Sequence, residues 1–398
     1  MITLNDPEFH NASTMLRMIP NAGVFIAGIV LFFVVVWDAF ESIILPRRVT
    51  RKFRLTRFYY KLTWTTWRAA ARLFPSKKQR ETFLGFYGPS SLLFLLGIWA
   101  TGLVISFGMM QYGAGSALNV SGNKPGISTD LYLSGTTFFT LGLGDVVPRS
   151  TLARFLVVAE SGFGFGFLAA IIGYLPFIYS AFGARETNIT LLDARAGTPP
   201  TAGELLRRHS YAHGEEALGE LLADWERWSA ELLESHLSYP VLAYFRSQHD
   251  NQSWIASLTA ILDTCALTMA GIEGACAKQA ELTFAISRHA VVDLAQIFGA
   301  SPHALPHDRL PPADLLRIRD KLAKHGMRLS RTPEADARLA EIRLMYEPYV
   351  YALAAHLSQT LPPWIPATKG KDNWQTTAWA QTTGVLEAEA SLVPDDHF

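Results

Sequence analysis

The residues with the most specific chemistry in this chain form one short run, Thr140-Leu141-Gly142-Leu143-Gly144-Asp145. That chemistry belongs to the backbone. Gly142 and Gly144 adopt positive φ without a Cβ clash, and alternating left- and right-handed residues turn successive carbonyls to one side. Carbonyls from several copies of such a loop, ringed about a narrow axis, replace the water shell of a desolvated cation. Thr140 adds a hydroxyl at the inner mouth, and Asp145 places a carboxylate at the outer mouth. A Gly-x-Gly alone reads as an ordinary turn. This one follows a predicted short helix at about 129–139, lies between two apolar stretches, and is closed by Asp145 and then Pro148, which is the context such a motif requires.

The elements that must position this run are membrane helices. Hydrophobic residues make up 49% of the 398 residues and charged residues 18%, against about 25% charged in an average soluble domain. Residues 21–45, 91–110 and 151–182 each contain an apolar segment of the roughly 20 residues a bilayer needs, and 91–110 carries no charge. Non-helical backbone at membrane depth is tolerated only where protein buries it or water lines it. The helix before the glycines points its C-terminal end, with partial negative charge, toward the same path and favours cations. The expected fold class is an all-α membrane protein.

Net charge is zero, but its distribution is not even. Residues 1–182 carry 16 Lys/Arg and 8 Asp/Glu, whereas 183–398 carry 19 and 27. Twelve of the basic residues fall between 46 and 80 with no acid among them, interleaved with Phe53, Phe58, Tyr59, Tyr60, Trp64, Trp67 and Phe74. Next to a membrane span this pattern reads as an interfacial helix on anionic headgroups near residues 47–80, rather than a nucleic-acid surface. The positive-inside rule puts it in the cytoplasm. The N-terminus then lies outside and the C-terminal domain inside, and 113–127, with Lys124 alone charged, is an outside loop. Asp38 and Glu41, near the end of the first span, are expected to pair with the basic stretch. Residues 1–19 show no apolar core of a cleavable signal.

From residue 183 onward, apolar residues recur at three and four, predicting helices over 204–237, 254–298, 314–329 and 333–361, with Pro-containing breaks between several of them. Residues 254–276 are apolar enough to span, but Asp263 at mid-segment favours the core of a soluble bundle. Cys265 and Cys276 make neither a disulfide framework nor a zinc site and read as reduced, buried thiols. His209, His213 and Glu216 share a helix face without completing a metal shell. His303, His307 and Asp308 lie in a Pro-rich loop with the same reading. No nucleophile elbow, catalytic dyad or phosphate loop stands in a convincing context, so the expectation is no enzyme and no cofactor. The tail, 362–398, is expected to be loosely ordered.

Span, pore helix, Thr-x-Gly-x-Gly-Asp and span together resemble the pore module of the potassium channel superfamily over residues 91–182. The resemblance implies a homotetramer, since each chain supplies one pore loop and the family's pore needs four. It implies passive potassium conduction, with permeating K+ in a filter of Thr140, Leu141, Gly142, Leu143 and Gly144 and with Asp145 as the outer-mouth carboxylate. Gly164 falls where the family often has its inner-helix hinge, and Arg154 where bacterial relatives carry a basic residue. Leu143 replaces the usual Tyr or Phe, which removes a ring that braces the filter. A weakly selective monovalent cation channel and a non-conducting sensor on the pore fold are therefore the alternatives. The tryptophans and the acid that often support the outer carboxylate are missing from the pore helix, where Thr136 and Phe138 stand instead.

Three inner-helix residues draw attention. Gly162 and Gly166, one turn apart, allow close helix packing. Gly164 fits either packing or a hinge, and with Pro176, which bends the inner end of the helix, forms a candidate gate. Glu160 is an acid inside a span, expected to hydrogen-bond the pore helix behind the filter or to hold negative potential near the cavity. The expected organisation is 1–45 for the N-terminal segment and first span, 46–80 for the basic linker, 81–182 for the pore module, 183–361 for a helical cytoplasmic domain of unidentified ligand, and 362–398 for the tail. The basic linker and unpaired cysteines point to a bacterial inner membrane.

Overall fold

The computed structural model describes residues 21–45, 55–120, 126–248, 251–272, 276–302, 307–366 and 372. The first half of the basic linker (Arg47, Arg48, Arg51, Lys52, Arg54), Lys124, His303 and the tail beyond 372 lie outside the described residues. The described chain is helical apart from one two-stranded ribbon, and it divides into two compact units, Met1–Ile178 and Tyr179–Phe398.

In the first unit, α1 (Ala22–Ile43) packs along α4 (Tyr87–Gly113), with α2 (Leu55–Ala71) and α3 (Lys77–Gly85) between them in sequence. The contact is made by small residues. A Cβ on Gly28 would lie 2.8 Å from the Ser106 carbonyl oxygen, and one on Gly113 would lie 2.6 Å from the Phe25 amide nitrogen. Close backbone approach of this kind drives association where lipid removes the hydrophobic advantage of larger side chains. Above the seam, Val35, Leu95, Leu96, Trp99, Leu103 and Phe138 form a core joined by Phe167 and Ile171. The opposite side of α1 exposes Ile26, Val30, Phe33, Val34, Trp37 and Phe40. A helix apolar all round with one covered stripe suits a lipid surrounding.

Asp38 departs from the expected pairing with cations. Its carboxylate accepts from Thr56 N (3.2 Å), Thr56 Oγ1 (2.6 Å) and Trp99 Nε1 (2.9 Å). Three neutral donors satisfy it without bringing a second charge into the bundle. Glu41 accepts from Trp37 Nε1 at 2.7 Å, one helical turn away. On α2, Tyr59 donates to the Ser91 carbonyl (2.8 Å), Trp67 Nε1 donates to the Phe83 carbonyl (3.1 Å), and the Trp67 ring stacks on Phe83. The apolar side chains of the basic stretch thus divide: Trp64 is buried, while Phe58 and Leu62 are exposed.

The third apolar segment forms α6 (Thr151–Ala196), a helix that continues past the expected end at 182. Its later residues belong to the second unit, where Arg185 donates to the Leu242 (2.8 Å) and Phe245 (2.9 Å) carbonyls and is itself almost fully buried. There follow α7 (Ala202–Arg208), α8 (Gly214–Ser238), a 3-10 turn (Pro240–Tyr244), α9 (Trp254–Gly271), α10 (Cys276–Phe298), α11 (Pro312–Lys324), α12 (Pro333–Leu344) and α13 (Glu347–Leu357). The predicted helix over 204–237 is split at His209–His213, because Gly214 passes so close to the His209 carbonyl that a Cβ would sit 1.9 Å from it. The expected helices at 254–298 and 333–361 are also each two helices.

Among the described residues four helical stretches are long and apolar enough to cross a membrane, α9 among them. Every residue of α9 from Trp254 to Thr268 is buried, and α7, α8, α10, α12 and α13 pack on it. Asp263 in its middle meets Arg309 (2.7 Å) and the Tyr346 hydroxyl (2.5 Å), and Arg309 also reaches Glu347 (3.0 Å). Such a helix leaves no side free for lipid, so it is the core of the second unit. Cys265 and Cys276 are free and buried.

Two predictions follow from this packing. Gly113→Ala forces a methyl against the Phe25 backbone and lowers stability in detergent by about 1–3 kcal/mol, whereas Gly97→Ala, with open space around it, stays within about 0.5 kcal/mol; thermal melting separates them. At α7, burial raises the Glu204 carboxyl, but hydrogen bonds from Arg207, Lys321 and Arg208 outweigh it and hold the group at about 2, down from 4.5. A depressed carboxyl stabilises the fold above its unfolded value and loses that contribution as pH falls through the folded one. Stability of the intact chain therefore drops between pH 4.5 and 2, and Glu204→Gln flattens that slope in pH-dependent melts.

Candidate functional site

The loop singled out by sequence is held by a helix on one side and a ribbon on the other. Helix α5 (Ile127–Phe138) buries Asp130, Leu133, Ser134, Thr136 and Phe138. Asp130 sits in its first turn, where an acid complements the positive helix end, and accepts from Ser116 Oγ at 2.6 Å. The last turn tightens: Phe139 N donates to Gly135 O (3.1 Å) and Thr140 N to Thr137 O (3.0 Å). The chain then folds back, and the Thr136 carbonyl takes both Leu141 N (2.8 Å) and Gly142 N (3.3 Å). One helix-end carbonyl thus fixes the start of the loop.

Within the loop, φ is positive at Thr140 (57°), Gly142 (54°) and Gly144 (79°), while Leu141 and Leu143 between them are not in that region. The alternation expected for the two glycines therefore extends to Thr140. Left-handed backbone at a non-glycine costs of order 1–3 kcal/mol and persists only where its surroundings impose it; the bonds to Thr137 and Thr136 are those surroundings. All six residues from Thr140 to Asp145 are exposed in the single chain, with Leu141 62% and Leu143 64% accessible.

Beyond Asp145 the chain enters β2 (Val146–Pro148), which pairs antiparallel with β1 (Leu118–Val120), Asn119 opposite Val147. Arg149 closes the ribbon, its amide donating to Ala117 O (2.8 Å) and its guanidinium to Asn119 Oδ1 (2.7 Å). The Tyr132 hydroxyl of α5 lies on the side of the Asp145 carboxylate. Both ribbon and tyrosine escape the sequence reading. The strands are three residues each, too short for alternation to register. Tyr132 is read from helical spacing only once α5 is known to run beside the loop.

Helix α6 meets α5 along a narrow seam. Ser134 Oγ hydrogen-bonds Glu160 Oε1 and lies 2.7 Å from the Val104 carbonyl of α4. One turn on, Gly164 faces Phe138, where a Cβ would stand 2.2 Å from the carbonyl oxygen. Gly162 and Gly166, expected to serve close packing, have nothing within 4 Å of a would-be Cβ; within the chain it is Gly164 that packs. The spacing explains this: Glu160 and Gly164 are four apart, as are Ser134 and Phe138, so each pair shares one helix face. Away from this seam α6 exposes Phe155, Val158, Phe165, Leu168 and Ile172. Pro176 lies inside the helix, where it deprives the Ile172 carbonyl of its usual donor.

The other candidates do not assemble. His209 is buried with Nδ1 against the Leu205 carbonyl (2.8 Å), while His213 is exposed and near Glu216 at 3.7 Å. Among the described residues no group of three or more His, Cys, Asp or Glu is placed to hold a metal.

Residues 92–176 match the family model described as Ion channel. That span covers most of α4, the ribbon, α5, the glycine loop and the first half of α6, so the match falls where the geometry of the loop is concentrated. With the apolar helices, the match supports an integral membrane protein of ion-channel type and speaks for transport rather than catalysis. Comparison with curated proteins and with solved structures returns no match.

Gly164→Ala should push the α5 end away from α6. At about 1–3 kcal/mol for an over-packed contact, ion flux through reconstituted protein falls about tenfold or more; unchanged flux and unchanged melting would show that the seam yields without consequence.

Proposed function

We propose that the chain is one subunit of a homotetrameric, potassium-selective channel, with Thr140, Leu141, Gly142, Leu143 and Gly144 supplying the filter and Asp145 the outer-mouth carboxylate. The observation that carries this reading is the alternation of backbone hand at Thr140, Gly142 and Gly144. Alternating hands direct successive carbonyls to one side, as a dehydrated cation requires. A single chain offers one such row, and closed rotational symmetry is the ordinary way to surround an axis with copies of it. The exposed Leu141 and Leu143 side chains and the uncovered apolar face of α6 support that assembly: they are surfaces for neighbouring copies or for lipid. Gly164 and Pro176 remain the candidate gate on α6, with permeating K+ as the transported ion.

The basic residues and exposed Phe58 and Leu62 of α2 favour a position at the anionic headgroups of the cytoplasmic leaflet; on this reading the N-terminus is outside and the second unit cytoplasmic, and we propose a bacterial inner membrane as the setting. A weakly selective monovalent cation channel is the second reading, favoured by Leu143, which offers no ring or hydroxyl to pack behind the filter.

Both are tested in liposomes. The wild type passes potassium, and Gly142→Ala, forced into a left-handed conformation worth about 1–2 kcal/mol against any Cβ, loses most of that flux. A reversal potential that follows potassium and ignores sodium distinguishes the selective channel from the weak one. A wild type that passes neither ion leaves only the non-conducting sensor.

A further inference from the structure

The buried acids of the first unit differ in what satisfies them. Asp38 has three hydrogen-bond donors of its own, from Thr56 and Trp99, and as an acceptor-only carboxylate it is served. Glu160 is equally inaccessible, yet among the described residues its sole partner is Ser134 Oγ, and its second oxygen, Oε2, is buried with no partner at all. Among the described residues no cation is paired with it. Ser134 is already engaged: its Oγ also lies 2.7 Å from the Val104 carbonyl oxygen. A hydroxyl carries one proton, and a backbone carbonyl only accepts. Three oxygens therefore share a single Ser134 proton if Glu160 is ionised. One acceptor is then left facing another without a hydrogen between them, and a charge is buried without a counter-charge, which is among the most costly arrangements in an apolar interior.

One added proton resolves the count. We propose that Glu160 is a positioning residue kept as the uncharged carboxylic acid: Glu160 Oε1–H donates to Ser134 Oγ, and Ser134 donates to the Val104 carbonyl. Oε2 becomes a neutral carbonyl oxygen, whose lack of a partner is far less costly than that of a carboxylate oxygen. The relay ties α6 to α5 and α5 to α4 at one point. One turn along the same seam Gly164 closes on Phe138, and two residues after Ser134 the Thr136 carbonyl holds the Leu141 and Gly142 amides. The relay therefore sets the position of the helix end from which the loop is suspended. This inference rests on the filter reading only for its consequence for selectivity; the protonation of Glu160 stands independently.

The full-length protein in liposomes tests both halves. An infrared difference spectrum between wild type and Glu160→Gln at neutral pH should show the carbonyl stretch of a protonated carboxyl present in the wild type and missing from the variant. Carboxylate bands in its place overturn the proposal, whether or not the protein conducts. Gln keeps a donor without charge, so Glu160→Gln holds the potassium-to-sodium permeability ratio within about twofold. Glu160→Leu, which fills the space and donates nothing, lowers it about tenfold. Ser134→Ala lowers it similarly, and adding Glu160→Leu to Ser134→Ala changes little further, as expected of two members of one link. If Glu160→Leu does not assemble, the Gln rescue and Ser134→Ala carry the same test. Loss of selectivity in Glu160→Gln, or full selectivity in Ser134→Ala, overturns the positioning role. A wild type that passes no cation refutes the filter reading instead.

Discussion

Backbone that is not helical must find partners for its amides and carbonyls before it can exist at membrane depth. In the loop from Thr140 to Asp145 that constraint is met unequally. The amides of Thr140, Leu141 and Gly142 are taken by the carbonyls of Thr137 and Thr136 at the end of α5. In the proposed tetramer the loop carbonyls are what remains for a cation held by four rows at once. Much of the first unit follows as support: a helix that ends where the loop begins, a ribbon that takes up the chain after Asp145, and two long helices that hold the short one.

That support is made by small residues and hydrogen bonds rather than by bulk. Gly28 and Gly113 let α1 and α4 touch along their backbones, and Gly164 lets α6 reach the Phe138 carbonyl. Without Cβ atoms at these points the helices come close enough for dispersion to act where lipid chains would compete equally well for larger apolar side chains. Acids inside the bundle are handled locally: Asp38 is met by an indole, a hydroxyl and an amide, and Glu160 by one serine. The second unit follows aqueous rules instead. Asp263 and Glu347 meet Arg309, Glu347 and Asp308 meet Arg343, and both guanidiniums lie over the Trp364 ring. Such a network fixes α9, α13 and the segment after it in one arrangement, and breaking it leaves a charge buried.

The three long apolar segments, the short helix before the glycines and the largely helical character of the second half were legible because each rests on a local regularity: length without charge, or an apolar residue every third or fourth position. Element ends were less legible. Helix α6 runs on past 182 because nothing in its sequence breaks it, and the split at His209–His213 depends on how closely Gly214 passes the His209 carbonyl. Partners were least legible of all. Thr56 and Trp99 stand 18 and 61 residues from Asp38, and no local pattern announces them.

By itself the sequence determined that apolar helices bracket a glycine loop able to adopt alternating hands, and that an acid sits within the last of them. These are properties of composition and spacing along one segment. Only the tertiary structure decided that Thr140 joins the alternation, that Gly164 rather than Gly162 or Gly166 meets the pore helix, that Tyr132 lies on the side of Asp145, and that Glu160 faces a serine whose proton is already spoken for. Those outcomes depend on distances between segments remote in the chain, set by how closely backbones approach, and a linear pattern carries no such distance.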